Sequence, residues 1–350
     1  MSLFGIFKKK GTPFVPKGFY AVRVKDKIQL TPDSVQLVFD IPTALGSKFQ
    51  FISGQYINIA TKIDGKEIRR SYSICSGTNE DLAVGIKKVK NGVFSTFAVD
   101  TLAVGDSIWV SEPMGNFQWK ENAQKIVAFC AGSGITPIFS IAKKVQETAQ
   151  EMELFYGNKT VSSTMFYNEI KAFSNVKSNF YFSQEKVENT FEGRLSSAIL
   201  ETNPNLLNAD SFYLCGPQEM VENIKQTLLE KGVSKDKIFF ELFEVKTEPT
   251  IEIKSTVAGN SVVTVICDQE ETTFEMNAKS SVLQKALDND VDAPYSCRGG
   301  ICSTCKCKIL EGTAEMRSNQ TLTDGEIAEG YILSCQAYPT SEKLIVSYDA

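Results

Sequence analysis

Cys297, Cys302, Cys305 and Cys335 follow the spacing Cys-x4-Cys-x2-Cys-x29-Cys. Three thiolates from one tight turn and a fourth from a distant segment make the ligand set of a plant-type [2Fe-2S] cluster. Arg298, Gly299, Gly300 and Ser303 lie between the ligands, where glycines let backbone N–H groups approach sulfur. A four-cysteine zinc site would need a second short knuckle, and Cys335 has no near cysteine with which to form one. Cys307, on the strand expected after Cys305, reads as a buried bystander.

Two further runs have the residue types to bind cofactors. Ala131-Gly132-Ser133-Gly134-Ile135-Thr136-Pro137 follows an apolar strand pattern and opens a helical one. Glycines at such a turn let backbone N–H groups and the helix N-terminus face a pyrophosphate. Pro137 holds the place of the last glycine in Gly-x-Gly-x-x-Gly, so a plain tight turn is the competing reading. Cys215-Gly216-Pro217 ends a second strand with a small-residue turn onto the same crevice. In Arg70-Ser71-Tyr72-Ser73-Ile74-Cys75-Ser76 the arginine can pair with a phosphate, the tyrosine can stack on a flat ring, and the hydroxyls can bond ring heteroatoms. An ordinary alternating strand would read the same way.

Composition removes whole classes of chemistry. The 350 residues contain no histidine, which excludes Ser-His and Cys-His nucleophile pairs, His-ligated zinc or haem, and a Rieske cluster. Hydrophobic residues are 42% and charged residues 23%, and no apolar run reaches the roughly 18 residues of a membrane span. Nine cysteines are too few for a disulfide scaffold, so a reducing, cytoplasmic setting is expected. Phe4, Ile6 and Phe7 precede Lys8-Lys9-Lys10, the wrong order for a secretory signal. That segment reads as a frayed start, with a membrane-surface or partner contact as the sharper alternative. From Thr250 onward 15 acidic residues face 8 basic ones, against 27 and 29 before it. An acidic C-terminal body disfavours nucleic acid and suits a basic protein partner.

The elements that must position these residues change rhythm along the chain. Residues 14–120 carry short β runs separated by turns such as Asp64-Gly65 and Asn91-Gly92, the pattern of an antiparallel β-barrel, with one helix near Ser95–Val99. Residues 121–245 alternate strands and helices, which predicts a doubly wound parallel α/β domain with its ligands beyond the strands' carboxyl ends. A linker is expected at 246–250, followed by a compact α+β unit over 251–350 whose first hairpin joins Ile251–Val257 to Val262–Cys267.

The motifs in this order resemble the ferredoxin-NADP reductase superfamily fused to a C-terminal plant-type ferredoxin, over nearly all the chain after about Phe14. The runs RSYSICS, CAGSGITPIFS, FYGNKT, YLCGPQEM, CRGGICSTCKCKILEG and GYILSCQAYP carry the likeness. It implies a β-grasp fold for the last domain and FAD, NAD(P)H and a [2Fe-2S] cluster as cofactors. By the same resemblance Arg70 would hold the flavin phosphate, Tyr72 would stack on the isoalloxazine, and Ser73 would approach N5. Gly92 and Ser95 would make a second phosphate contact, with Ser95 capping the short helix. Gly132, Gly134 and Thr136 would follow the nicotinamide half of the dinucleotide, with Cys215 and Gly216 near its ring. Glu241 and Phe243 would cover the flavin.

Relatives that use NADPH hold its 2′-phosphate with a Ser-Arg pair, where this chain reads Ser183-Gln184-Glu185. Lys159 is the substitute cation, which tilts the expectation toward NADPH and leaves NADH open. Among these fusions the runs are most similar to reductase components of phenylacetyl-CoA ring epoxidases, implying a diiron oxygenase as electron acceptor. Reductases for ring-hydroxylating dioxygenases and lipid desaturases share the runs. A dinucleotide- or cluster-binding regulator without turnover is the alternative of another class; the intact Arg70, Tyr72, Cys215 and cluster ligands speak against it.

Overall fold

The computed structural model describes residues 15–243, 260–277 and 279–350. The N-terminal Met1–Lys10 segment, the expected linker at 246–250 and the expected strand Ile251–Val257 lie outside them. The first domain is one antiparallel sheet of β1 (Phe19–Thr31), β2 (Ser34–Asp40), β3 (Tyr56–Ile63), β4 (Lys66–Ser73), β5 (Ala83–Lys87) and, after helix α1 (Val93–Asp100), β6 (Ser107–Ser111). Strand order is β4-β3-β6-β1-β2-β5. The end strands meet where Ile74 bridges Val84 and the Cys75 N–H donates to the Ala83 carbonyl at 2.9 Å, so the sheet closes into a barrel. Alternation drives the closure: Val35, Leu37 and Phe39 of β2 point inward and are fully buried. Phe94 and Ala98 of α1 pack into the same core.

The second domain contains β7 (Lys125–Ala131), α2 (Ile135–Gln146), β8 (Glu151–Asn158), α3 (Tyr167–Ala172), β9 (Val176–Phe182), β10 (Phe191–Glu192), α4 (Ala198–Thr202), β11 (Ser211–Cys215), α5 (Gln218–Glu230) and β12 (Ile238–Glu241). All its strand pairs are parallel, in the order β10-β9-β8-β7-β11-β12. Helices cover both faces, so β7 is buried continuously from Ile126 to Cys130. Chain progression reverses between β7 and β11, which sets Ala131 and Cys215 at the switch point where such sheets bind ligands. Helix α3 begins at Tyr167, directly after Phe166, which sits in the left-handed region at φ 58°.

The third domain holds β13 (Ser261–Cys267), β14 (Glu270–Met276), α6 (Val282–Asp288), β15 (Lys306–Glu311), β16 (Ala314–Met316), α7 (Asp324–Ala328), β17 (Tyr331–Leu333), β18 (Ala337–Pro339) and β19 (Lys343–Ser347). Its main sheet runs β14-β13-β19-β15-β17, a β-grasp arrangement with α6 packed on the core through Val282, Leu283 and Ala286. β13 forms a hairpin with the downstream β14. Asp268 and Gln269, at φ 59° and 65°, make the two-residue turn between them.

Candidate functional site

The cluster loop joins α6 to β15, and Cys335 arrives from the turn between β17 and β18. Cys302, Cys305 and Cys335 are buried and Cys297 is half-buried. The thiols converge in two pairs. Cys297 and Cys302 Sγ atoms are 3.0 Å apart, while the Cys305 thiol lies beside that of Cys335, whose proximity, with burial, raises it. The N–H groups of Gly299 and Cys302 lie 3.4 and 3.3 Å from Cys297 Sγ. The thiol of Cys297 is held below the usual cysteine range by the hydrogen bond with Cys302 and, against its burial, by these amides.

Among the described residues no three ligand-type side chains converge as one metal ion would need. Two thiol pairs with amide donors at sulfur fit a two-iron cluster. Gly300 is required at its place: φ is +73°, and a Cβ there would lie 2.7 Å from the Ser318 carbonyl oxygen. Cys307 is buried in the domain core.

A cleft of about 1550 Å³ separates the barrel from the α/β domain. β4 contributes Arg70, Tyr72 and Ser73 to its wall, and the start of α1 contributes Gly92 and Ser95. Gly132, Gly134 and Thr136 enter from the β7–α2 turn, Lys159 and Ser183 from beyond β8 and β9, and Gly216 and Phe243 from beyond β11 and β12. Cys297 and Cys302 line the same space from the third domain. The Cys215 side chain does not line it: it is fully buried, and burial pushes its thiol well up. Gly134 permits the close approach of the two turns, since a Cβ would stand 2.2 Å from the Cys215 carbonyl oxygen.

The barrel wall has the groups a flavin requires. Arg70 is exposed and bonds the Arg69 carbonyl through Nη1 at 2.7 Å, which leaves its remaining donors to the cleft. The Tyr72 ring packs on Phe94 at 5.4 Å between centroids. Ser73 Oγ donates to Glu241 Oε2 at 3.0 Å, and burial raises the Glu241 carboxyl to about 7 against that bond. A cation, a stacking ring and a hydroxyl on one strand fit FAD.

Ser95 differs from its expected role. Gly92 is the N-cap of α1, and Ser95, two residues inside the helix, accepts from the Val89 N–H at 3.1 Å and bonds back to the Gly92 carbonyl. Sequence reasoning did not single out Asn158 or Arg194, which line the cleft with Lys159 and Ser183. Asn158 Nδ2 is buried there without a protein partner, an orphan donor that fits a polar ligand. Arg194 follows the two-residue β10, too short to give a periodic signal; the glycine of Glu192-Gly193-Arg194 was the only mark of a turn.

Comparison with known families agrees with this architecture. Residues 21–119 match the oxidoreductase FAD-binding domain, 129–226 the oxidoreductase NAD-binding domain, and 265–340 the 2Fe-2S iron-sulfur cluster binding domain. Fold and site thus define a modular oxidoreductase with FAD, NAD(P)H and a [2Fe-2S] cluster as cofactors. The chain is 33% identical to one of the subunits of the 1,2-phenylacetyl-CoA epoxidase of Escherichia coli K12, over 95% of this chain and 98% of that one. It is 27% identical to the ferredoxin reductase component of 3-ketosteroid-9-alpha-monooxygenase from Rhodococcus rhodochrous, over 95% and 99% of the two chains. Phthalate dioxygenase reductase shares the fold, with a TM-score of 0.61 at 24% identity over 94% of this chain and 98% of that one. The chain belongs to the family of flavin and iron–sulfur reductases that includes these oxygenase components, and it passes electrons from NAD(P)H through FAD to a [2Fe-2S] cluster.

Proposed function

We propose that this reductase supplies a diiron oxygenase that epoxidises the ring of phenylacetyl-CoA. The observation that carries the acceptor is the 33% identity with the E. coli epoxidase component along almost the whole of both chains. The electron path rests on geometry, since β4, the β7–α2 turn and the cluster loop all open on one cleft.

When bound, FAD takes an electron pair with a proton from NAD(P)H, and the cluster accepts electrons singly. The chain positions these groups; hydride transfer itself needs no protein acid or base, so the absence of histidine is no obstacle. In this reading Arg70 neutralises the flavin phosphate, and Gly92 and Ser95 offer it a second contact at the start of α1. Tyr72 would stack on the flavin ring, Ser73 would offer its hydroxyl toward N5, and Glu241 and Phe243 would cover the flavin. Gly132, Gly134 and Thr136 admit the dinucleotide backbone, with Gly216 at the nicotinamide end; Cys215 shapes that end from behind through its carbonyl. Lys159, Ser183 and Arg194 take the adenosine end, and two cations on that wall favour NADPH. Cys297, Cys302, Cys305 and Cys335 ligate the cluster.

Reconstitution with the epoxidase's oxygenase components tests the acceptor: NAD(P)H-driven conversion of phenylacetyl-CoA is the expected result. Coupling only to a ring-hydroxylating dioxygenase or desaturase would replace it. Cys302→Ser tests the path, and should abolish the reduced-cluster EPR signal while ferricyanide reduction at the flavin continues.

A further inference from the structure

We propose that Tyr56, Asn58 and Ser71 form a seat on the barrel that holds the cluster loop in register with the flavin for internal electron transfer. Tyr56 and Asn58 act in it as positioning residues. The strand pattern makes Asn58 conspicuous. Ile57 and Ile59 on either side of it point into the barrel core, so Asn58 points out of the barrel, yet its side chain is fully buried. A buried amide requires partners, and these are divided between the two domains. Asn58 Oδ1 accepts from Ser71 Oγ at 2.7 Å on the neighbouring strand, while Nδ2 donates to Thr304 Oγ1 at 3.0 Å on the cluster loop. Two residues earlier on β3, the Tyr56 hydroxyl accepts from the Ser303 backbone N–H at 3.2 Å and pairs with Ser303 Oγ at 3.3 Å. Ser71 Oγ also pairs with Ser296 Oγ at 3.0 Å.

Each bond that crosses to the third domain ends beside a cluster ligand. Ser296 precedes Cys297, and Ser303 and Thr304 are the two residues between Cys302 and Cys305. On the barrel side Ser71 stands between Arg70 and Tyr72, so the strand assigned to the flavin also bonds the loop assigned to the cluster. Beside these bonds, the Arg69 guanidinium lies over the Tyr295 ring at 4.3 Å, and Thr304 Oγ1 meets the Met114 thioether at 3.8 Å. Barrel and α/β domain share a buried apolar core in which Cys75 and Ala83 join Ile135 and Ile138, but among the described residues no apolar core joins barrel to ferredoxin domain. Directional hydrogen bonds without a shared core fix a loop's position and let it separate, as transient interfaces do.

The inference rests on FAD lying against β4 and the cluster on the four cysteines, and the test reports on both separately. Stopped-flow absorbance follows flavin reduction by NAD(P)H and then cluster reduction in wild type, Tyr56→Phe, Thr304→Val and the double variant. Each single variant should slow cluster reduction about two- to tenfold, the effect of losing one net hydrogen bond, and the double variant more. Flavin reduction and the cluster EPR signal should match wild type, and hydrogen exchange at the Ser303 amide should accelerate in Tyr56→Phe. Cluster reduction at the wild-type rate in the double variant overturns the seat. So does slowed flavin reduction or an altered EPR signal, which would place these residues on the cofactors themselves. A wild-type protein lacking either the flavin transition or the EPR signal would overturn the cofactor reading, and the seat with it.

Discussion

At Glu241 a carboxyl half-buried in the cleft wall bonds Ser73, and its pKa rises from the usual carboxylate value to about 7 because burial penalises the charge. Between the unfolded value of 4.5 and about 7 the folded state therefore binds more proton than the unfolded state, and stability falls as pH rises through that window. Glu241→Gln removes the titration. Its Tm should match wild type near pH 5 and exceed it increasingly toward pH 8, measured without NAD(P)H; a pH-independent difference would show that Glu241 ionises normally. At the other end of the cleft Lys159 is exposed on the wall that also carries Arg194. A charge-assisted phosphate contact contributes roughly 1.5–3 kcal/mol, about ten- to a hundredfold in affinity. Lys159→Ala should weaken NADPH by about that factor while NADH binding stays constant; equal losses for both would remove Lys159 from the 2′-phosphate.

The turns that carry these residues depend on backbone clearance more than on side-chain chemistry. A Cβ added at Gly134 would lie 2.2 Å from the Cys215 carbonyl oxygen, so Gly134→Ala must push the β7–α2 turn away from the end of β11. The expected result is a raised KM for NAD(P)H with full flavin content, because the barrel is untouched; an unchanged KM would mean that the turns do not jointly bind the dinucleotide. Such elements were legible in the sequence where a short period or a glycine punctuated them. The buried β7, the Gly132–Gly134 turn and the cysteine loop all announce themselves. β14 does not: Glu270–Met276 is largely polar, and its turn uses Asp268 and Gln269 in left-handed conformations where a glycine or asparagine would be expected. Asn58 and Tyr56 were invisible for a different reason. A polar residue on an outward strand face reads as solvated until another domain, some 240 residues later in the chain, is seen to cover it.

For the whole molecule, the packing of the third domain limits where a partner can approach. Ser296, Ser303 and Thr304 of the cluster loop face the barrel, Ile301 packs against the α/β core, and Lys235 pairs with Asp324 across the same boundary. The acidic residues around the loop's base divide into two kinds. Glu311 pairs with Lys343, and Asp288 accepts from Gln284, whereas Asp290 and Asp292 are exposed just before the loop. With an excess of acidic over basic residues after Thr250, this surface projects a negative field toward any basic acceptor. Exposed pairs add little affinity, but complementary fields raise association rates roughly 10- to 1,000-fold, and salt suppresses the gain because the Debye length at physiological ionic strength is only about 8 Å. Coupled turnover with the oxygenase, measured at limiting oxygenase concentration where docking sets the rate, should fall steeply as ionic strength rises. Ferricyanide reduction takes electrons at the flavin and should not follow that curve. Asp290→Asn with Asp292→Asn should flatten the salt dependence of the coupled rate, whereas a salt-independent coupled rate in the wild type would show that the acidic surface has no part in recognising the acceptor.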